Sequence, residues 1–184
     1  MKSVDLLLTE HRFIARMVSV IEAVADRLDR GKSVPTQVLA QVMDFSEHFT
    51  SNCHHAKEEH HLFPVLAAHG LGPDSSPVAA LREQHEANHA YLREMHTAFT
   101  HMRAGDPAAP RAFAASARDY ARMIREHMRI EDHYFQEAGD LLSPEEDRML
   151  FDRMAAVDQA MARASDRSRF DQMLEDCEAL VRKW

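Results

Sequence analysis

The sequence predicts an all-α protein: an up-down-up-down four-helix bundle followed by one or two extra C-terminal helices. Two observations lead to this fold class. The 184 residues include only 5 Gly and 7 Pro, whereas Ala, Leu, Met, Glu and Arg, which favour helix, are common. Apolar residues also recur every three or four positions along four long stretches, which is the spacing of a buried helix face. Short connections between four such helices favour antiparallel neighbours.

The first two helices are expected over 4–28 and 36–68, and the next two over 77–103 and 111–138. Polar loops with Gly and Pro separate them. The predicted buried stripes carry polar residues among the apolar ones. These are His11 on the first helix, His85 with His89 at the margin on the third, and His127 with Glu131 on the fourth.

The stretch Ser143-Pro144-Glu145-Glu146 combines an N-cap, a first-turn proline and an acidic first turn, so it predicts the start of another helix. We expect a break near Ser165 to Ser168. The sequence thus divides into a bundle over 1–140 and a helical extension over 141–184 that packs across one side or end of it.

The formal net charge of −8 argues against nucleic acid or an anionic membrane surface as a partner. No apolar run approaches the roughly 20 residues of a membrane span, and the amino terminus has no signal-peptide core. Cys53 and Cys177 form no paired motif and are expected to be free thiols. We therefore expect a cytoplasmic protein. The unusual number is 13 histidines.

The second helix holds the most informative stretch. At about 100° per residue, His55 flanks a face that Glu59 shares with Phe45, Phe49, Asn52, Ala56, Phe63 and Leu66. A carboxylate among phenylalanines is costly unless its charge is compensated, and a cation bound by both His55 and Glu59 would compensate it. The pair His54 and Glu58 has the same spacing and is expected to face solvent.

An internal repeat supports this register. The segment L-L-T-E-H ending at His11 matches L-R-E-Q-H ending at His85, and the spacing of His55 and Glu59 matches that of His127 and Glu131. Seven inward-facing groups are thus candidate metal ligands: His11, His55, Glu59, His85, His89, His127 and Glu131.

Two carboxylates and four or five imidazoles in one core cannot satisfy one another, whereas two divalent cations would satisfy them. Mixed nitrogen and oxygen ligands suit iron or manganese, and zinc also accepts them. His85 is followed four residues later by His89, but His11 is followed by Ala15. One cation would then have three imidazoles and the other two, which leaves an open coordination position near His11 and His55.

These residues resemble the hemerythrin-like, HHE cation-binding domain over about 6–138. The most specific segment is C-H-H-A-K-E-E-x-x-L-F-P at Cys53–Pro64, supported by E-H at Glu10-His11 and by H-x-x-x-E starting at His127. The resemblance implies a non-haem di-iron centre with two carboxylate bridges and an oxo or hydroxo bridge, which binds O2 at a five-coordinate iron.

By position, the resemblance assigns His11 and His55 to the five-coordinate iron and His85, His89 and His127 to the other, with Glu59 and Glu131 as bridges. Oxygen-carrying members typically use an Asp five residues after the fourth-helix His, which here is Asp132. Glu131 is central on the predicted face, so we favour Glu131 and leave Asp132 open.

A ferritin-like centre needs two E-x-x-H pairs. Glu58 with His61 and Glu86 with His89 have that spacing, but Glu58 and His61 are expected to face away from the core, and Glu86 to lie off the buried stripe of the third helix. The sequence contains no G-x-S-x-G, P-loop, G-x-G-x-x-G or H-E-x-x-H motif.

Three functions remain open. The first is binding or sensing of O2 or a related diatomic such as NO, and we favour it over an enzymatic role. The second is an enzyme that reduces peroxide or acts in iron handling or repair. The third is an iron-stabilised interaction module that uses the C-terminal helices. The sequence leaves open whether the chain forms a homodimer.

Overall fold

The computed structural model describes residues 1–164 and 168–184, and within them the chain is helical with short connections. The helices are α1 (Lys2–Asp29), α2 (Thr36–Asp44), a first π-helical segment (Phe45–His55), a second π-helical segment (Glu58–Leu62), α3 (Phe63–Ala68), α4 (Val78–Arg103), α5 (Ala109–Gly139), α6 (Pro144–Ala164) and α7 (Ser168–Val181). The break expected near Ser165 to Ser168 falls on 165–167, outside the described residues, and Ser168 begins α7.

Four long helices form the expected all-α bundle. The chain is helical without interruption from α2 through α3, so this stretch counts as one of the four, with α1, α4 and α5 as the others. The most extensive packing is that of α5 against α1 and against α4. Gly31, Gly70 and Gly105, at the ends of the first three long helices, have φ near +67° to +86°, a conformation in which glycine closes helices without strain.

The core consists of two apolar clusters with a polar layer between them. On α1, Val4 and Leu7 belong to one cluster and Ile14 begins the other. Each of the other three long helices also contributes residues to both apolar clusters. The buried polar residues His11, His55, His85, His127 and Glu131 lie between the two clusters along their helices.

The second long helix departs from regular α-helix over most of its middle. Its two π-helical segments use hydrogen bonds from residue i to i+5, so each residue advances by less than the 100° of an α-helix. Phe45, Phe49, Phe63 and Leu66 of the expected face are buried, but the face is wrong between them, at Asn52, Ala56 and Glu59. Asn52 is exposed, and the expected solvent-facing pair, His54 and Glu58, is buried at 1% and 0% exposure.

The extension packs on one side of the bundle. The α6 helix contacts α1 and both π-helical segments, and α7 contacts α1. The predicted N-cap of α6 is confirmed: the Ser143 hydroxyl accepts a hydrogen bond from the Glu146 amide at 3.3 Å and donates one to its carboxylate at 2.7 Å. Among the described helices, none combines the length and apolarity needed to cross a membrane.

Candidate metal centre

One group of buried ligand-type side chains joins three of the long helices. His55 and Glu58 come from the second long helix, His85 from α4 and His127 from α5. One donor atom from each lies within 4.8 Å of all the others. We call this group the first cluster. It offers three imidazoles and one carboxylate.

A second group lies beside the first and shares Glu58 with it. His11 from α1, His54 and Glu58 from the second long helix, and Glu131 from α5 also have donor atoms within 4.8 Å of one another. We call this group the second cluster. Glu131 Oε2 lies 3.2 Å from His11 Nε2 and 3.1 Å from His127 Nε2, so both carboxylates reach both clusters.

Four of the five imidazoles are oriented from outside the clusters. Each has its Nδ1 atom within hydrogen-bond distance of a side-chain oxygen on a neighbouring helix. The pairs are His11 with Asp132 at 2.7 Å, His54 with Glu10 at 2.9 Å, His85 with Glu59 at 2.8 Å and His127 with Gln84 at 2.9 Å. Oxygen partners of this kind fix the ring and its tautomer in metal sites.

The orientation of these rings places nitrogen lone pairs face to face. An imidazole that donates from Nδ1 carries a lone pair on Nε2 in its neutral form. His11 Nε2 lies 3.0 Å from His54 Nε2, and His85 Nε2 lies 3.2 Å from His127 Nε2. Two lone pairs at that distance repel each other unless a cation or a proton lies between them.

Other buried atoms in the clusters lack hydrogen bonds altogether. Both ring nitrogens of His55 and all four carboxylate oxygens of Glu58 and Glu131 are in this state. Three of those oxygens approach an imidazole Nε2 at 3.1–3.3 Å, but at angles unsuited to hydrogen bonding. Buried polar atoms are rarely left this way. Metal cations would satisfy these donor atoms.

The pKa values of the groups in the clusters are strongly perturbed. Burial opposes the charged form of His54, but Glu58 and Glu10 outweigh it and raise the pKa of His54 to about 10. Burial and the neighbouring imidazoles hold the pKa of His55 well below its ordinary value. Burial, with the charge of Glu58, raises the pKa of Glu131 to about 7. Strongly perturbed groups of this kind concentrate at functional sites.

The structure brings five of the seven sequence-predicted ligands into the clusters: His11, His55, His85, His127 and Glu131. Glu59 lies outside them. Its side chain is 30% exposed, and it orients His85 instead of bridging. His89 is exposed on α4. The π-helical turns explain the error at Glu59: each residue advances by less than 100°, so the buried face falls on His54 and Glu58 where a regular helix would place it on Asn52, Ala56 and Glu59.

Two residues in the clusters, His54 and Glu58, were missed. The internal repeat contains a signal for them if the second helix is aligned with the fourth one residue earlier than expected. In that register His54 and Glu58 match His127 and Glu131, and both glutamates lie four residues after a cluster histidine. The division of imidazoles between the two clusters also differs from the expected one. His55 lies with His85 and His127 in the first cluster, and His54 lies with His11 in the second.

The structure also shows the positions of Asp132 and of the ferritin-like pair Glu86 and His89. Asp132 is 54% exposed and contacts His11 Nδ1, so it orients an imidazole as Glu59 does. The ferritin-like arrangement lacks its second pair in the core, because Glu86 and His89 are both exposed.

A cavity of about 450 Å³ opens between α1 and α5 and ends at the second cluster. Its lining residues are Leu8, His11, Arg12, Ala15, Arg125, Met128, Arg129, Asp132 and Gln136. It is a route by which a small molecule could approach His11 from solvent.

Searches of curated proteins and of solved structures found no match to the chain. A family model, the hemerythrin HHE cation binding domain, matches residues 2–139. That range covers the four long helices and every residue of both clusters. The chain therefore belongs to the hemerythrin HHE cation-binding domain family, with two buried His/Glu clusters able to hold metal.

Proposed function

We propose that the protein binds or senses O2, or a related diatomic such as NO, at two iron ions held by the two clusters. The observation that carries this proposal is the unequal number of imidazoles. The first cluster has three and the second has two. With the bridging carboxylates common to both, the second cluster has one protein ligand fewer, which leaves a coordination position for a small ligand.

The position of that opening follows from the repeat. His55, the extra imidazole of the first cluster, directly follows His54, and the residue that directly follows His127 is Met128. Met128 lines the cavity together with His11. A thioether therefore stands where the matching half of the molecule has an imidazole, on the side from which a small ligand would arrive.

Each group in the site has a defined task in this proposal. The imidazoles and the carboxylates of Glu58 and Glu131 would hold the cations, and Asp132 and Glu10 orient the two imidazoles of the second cluster. The apolar clusters on both sides exclude bulk water. Bound ferrous ions would supply the electrons and the open position that a diatomic needs, and an oxygen-derived bridge between them belongs to the same proposal.

Iron is proposed in preference to zinc because mixed imidazole and carboxylate ligands with an open position suit a redox-active metal, and metal analysis distinguishes iron from manganese. A cytoplasmic location is part of the proposal, since both cysteines are free thiols.

The test is metal analysis with optical spectra of anaerobic protein loaded with ferrous iron, before and after O2 or NO, on wild type and His127→Ala. We expect two irons per wild-type chain and a spectral change that reverses when the gas is removed. His127→Ala should hold fewer irons. Uptake of fewer than two irons by wild type, or no spectral change, would contradict the proposal, and steady peroxide turnover would favour an enzyme.

A further inference from the structure

A lysine is buried directly behind the second cluster. The side chain of Lys57 has 0% exposure, and its Nζ contacts Glu10 Oε1 and, at 2.5 Å, Asp158 Oδ1. An ammonium group without water is strongly destabilising unless acids surround it. Lys57, Glu10 and Asp158 therefore form one charged group, which we call the lysine clamp.

The lysine clamp acts through Glu10 on His54, a metal-ligand side chain of the second cluster. The two oxygens of Glu10 have different partners: Oε1 accepts from Lys57, and Oε2 lies 2.9 Å from His54 Nδ1. Because Lys57 holds one oxygen, the other is fixed towards His54. The ring of His54 in turn directs Nε2 towards Glu58 and His11.

The first cluster has no buried counterpart of this arrangement, because Glu59, the carboxylate that orients His85, is 30% exposed and pairs at 3.7 Å with the exposed Arg82. The residue that corresponds to Glu10 in the repeat is Gln84, whose neutral amide contacts His127 Nδ1 at 2.9 Å. A neutral amide needs no compensating cation. Asp158 comes from α6, which packs on α1 and on the π-helical segments. The C-terminal extension therefore reaches a ligand of the second cluster through the clamp.

A third group of side chains that could bind a metal overlaps the lysine clamp. Glu10, Cys53 and Asp158 offer donor atoms within 4.8 Å of one another. Cys53 Sγ donates to Asp158 Oδ1 at 3.4 Å. The ammonium of Lys57 contacts both carboxylates of this group, so the positive charge that such a group favours is already supplied by the protein.

We propose that Lys57 and Asp158 are positioning residues for His54, so that docking of α6 sets the affinity of the second cluster for its cation and leaves the first cluster unaffected. This inference rests on the proposed function only in that the two clusters hold one cation each.

The test is an anaerobic titration of the full-length protein with ferrous iron alone, in which the two binding steps are resolved. Loss of an outer partner typically costs 10-fold to 100-fold in metal affinity. We expect Lys57→Met and Asp158→Asn to weaken one step by about tenfold or more and to leave the other unchanged. His54→Ala identifies the step that belongs to the second cluster. Asp152→Asn, an exposed position on α6, is the matched control.

Asp158→Asn preserves side-chain volume, so it still tests the inference if Lys57→Met misfolds. Circular dichroism checks the fold of both variants. Wild-type affinity at both steps in both variants would overturn the inference. So would equal weakening of both steps, because that is the result of a general loss of structure. Binding of fewer than two irons by wild type would instead overturn the proposed function, so the two failures are distinguishable.

Discussion

Two adjacent glutamates have different roles in the same helix. Glu58 is fully buried and belongs to both clusters, whereas Glu59 is 30% exposed and accepts a hydrogen bond from His85. Position in the sequence alone does not separate them. Their surroundings do, because one is enclosed by imidazoles and the other reaches the protein surface beside Arg82.

We expect Glu58→Gln to weaken both iron-binding steps by at least about tenfold, since an uncharged amide replaces a ligand that both clusters share. Glu59→Gln is the matched control. It should still bind two irons, because Gln84 already plays the same part for His127. Anaerobic iron titration measures both variants. Two normal steps in Glu58→Gln, with loss in Glu59→Gln, would reverse the assignment.

A second prediction at this scale concerns Met128. We expect Met128→His to place a third imidazole at the second cluster and close its open position. Iron content should remain at two per chain, while binding of inorganic azide, followed by absorbance, should fall at least about tenfold. Met123→His, on the same helix but away from the cavity, should bind azide as wild type does. Unchanged azide binding in Met128→His would remove Met128 from the account.

At the scale of the helices, the sequence predicts three of the four long helices well. The first was expected over 4–28 and spans Lys2–Asp29, and the fourth was expected over 111–138 and spans Ala109–Gly139. Apolar spacing locates such helices because they are regular along their length. His127 and Glu131 are buried on the predicted face of the fourth helix for the same reason.

The second long helix is predicted with correct ends, but with the wrong inner face over its middle turns. A hydrophobic pattern read at 100° per residue assumes α-helical turns, and the wide turns of Phe45–His55 and Glu58–Leu62 depart from them. Those turns let His54 and His55 both reach the core, one to each cluster. The packing of these histidines against three other helices is a long-range feature that local spacing does not contain.

We therefore expect deletion of Asn52, an exposed residue in the first π-helical segment, to favour regular α-helix there and to move His54 and His55 out of register. Circular dichroism should show a helical protein, and iron content should fall below one per chain. Deletion of Asp74, in the loop before α4, is the control and should retain two irons. Normal iron content after the Asn52 deletion would contradict this explanation.

At the scale of the whole molecule, the bundle encloses a polar layer between two apolar clusters, and the extension covers one side. The two cysteines report on that packing. Cys53 lies against α6 and Cys177 is part of α7, and both are buried. Burial raises the pKa of Cys53 to about 12 and that of Cys177 to about 11.

Because the thiolate is the reactive form, we expect neither cysteine to react with a thiol reagent at pH 8 in the folded protein and both to react in denaturant. The folded state favours the neutral thiol, so these two groups should lower stability only as the pH rises above about 9, where thiols of the unfolded chain ionise first. Rapid labelling of Cys177 in native protein would show that α7 does not stay docked.

The central claim is that Glu58 and Glu131, with five imidazoles, hold two cations. Anomalous diffraction at the iron edge, on crystals of iron-loaded protein, tests it most directly. We expect two peaks about 3.5–4 Å apart, one beside His55, His85 and His127 and the other beside His11 and His54, with Glu58 within bonding distance of both. A single peak, or a pair next to Glu59 and His89, would contradict the account.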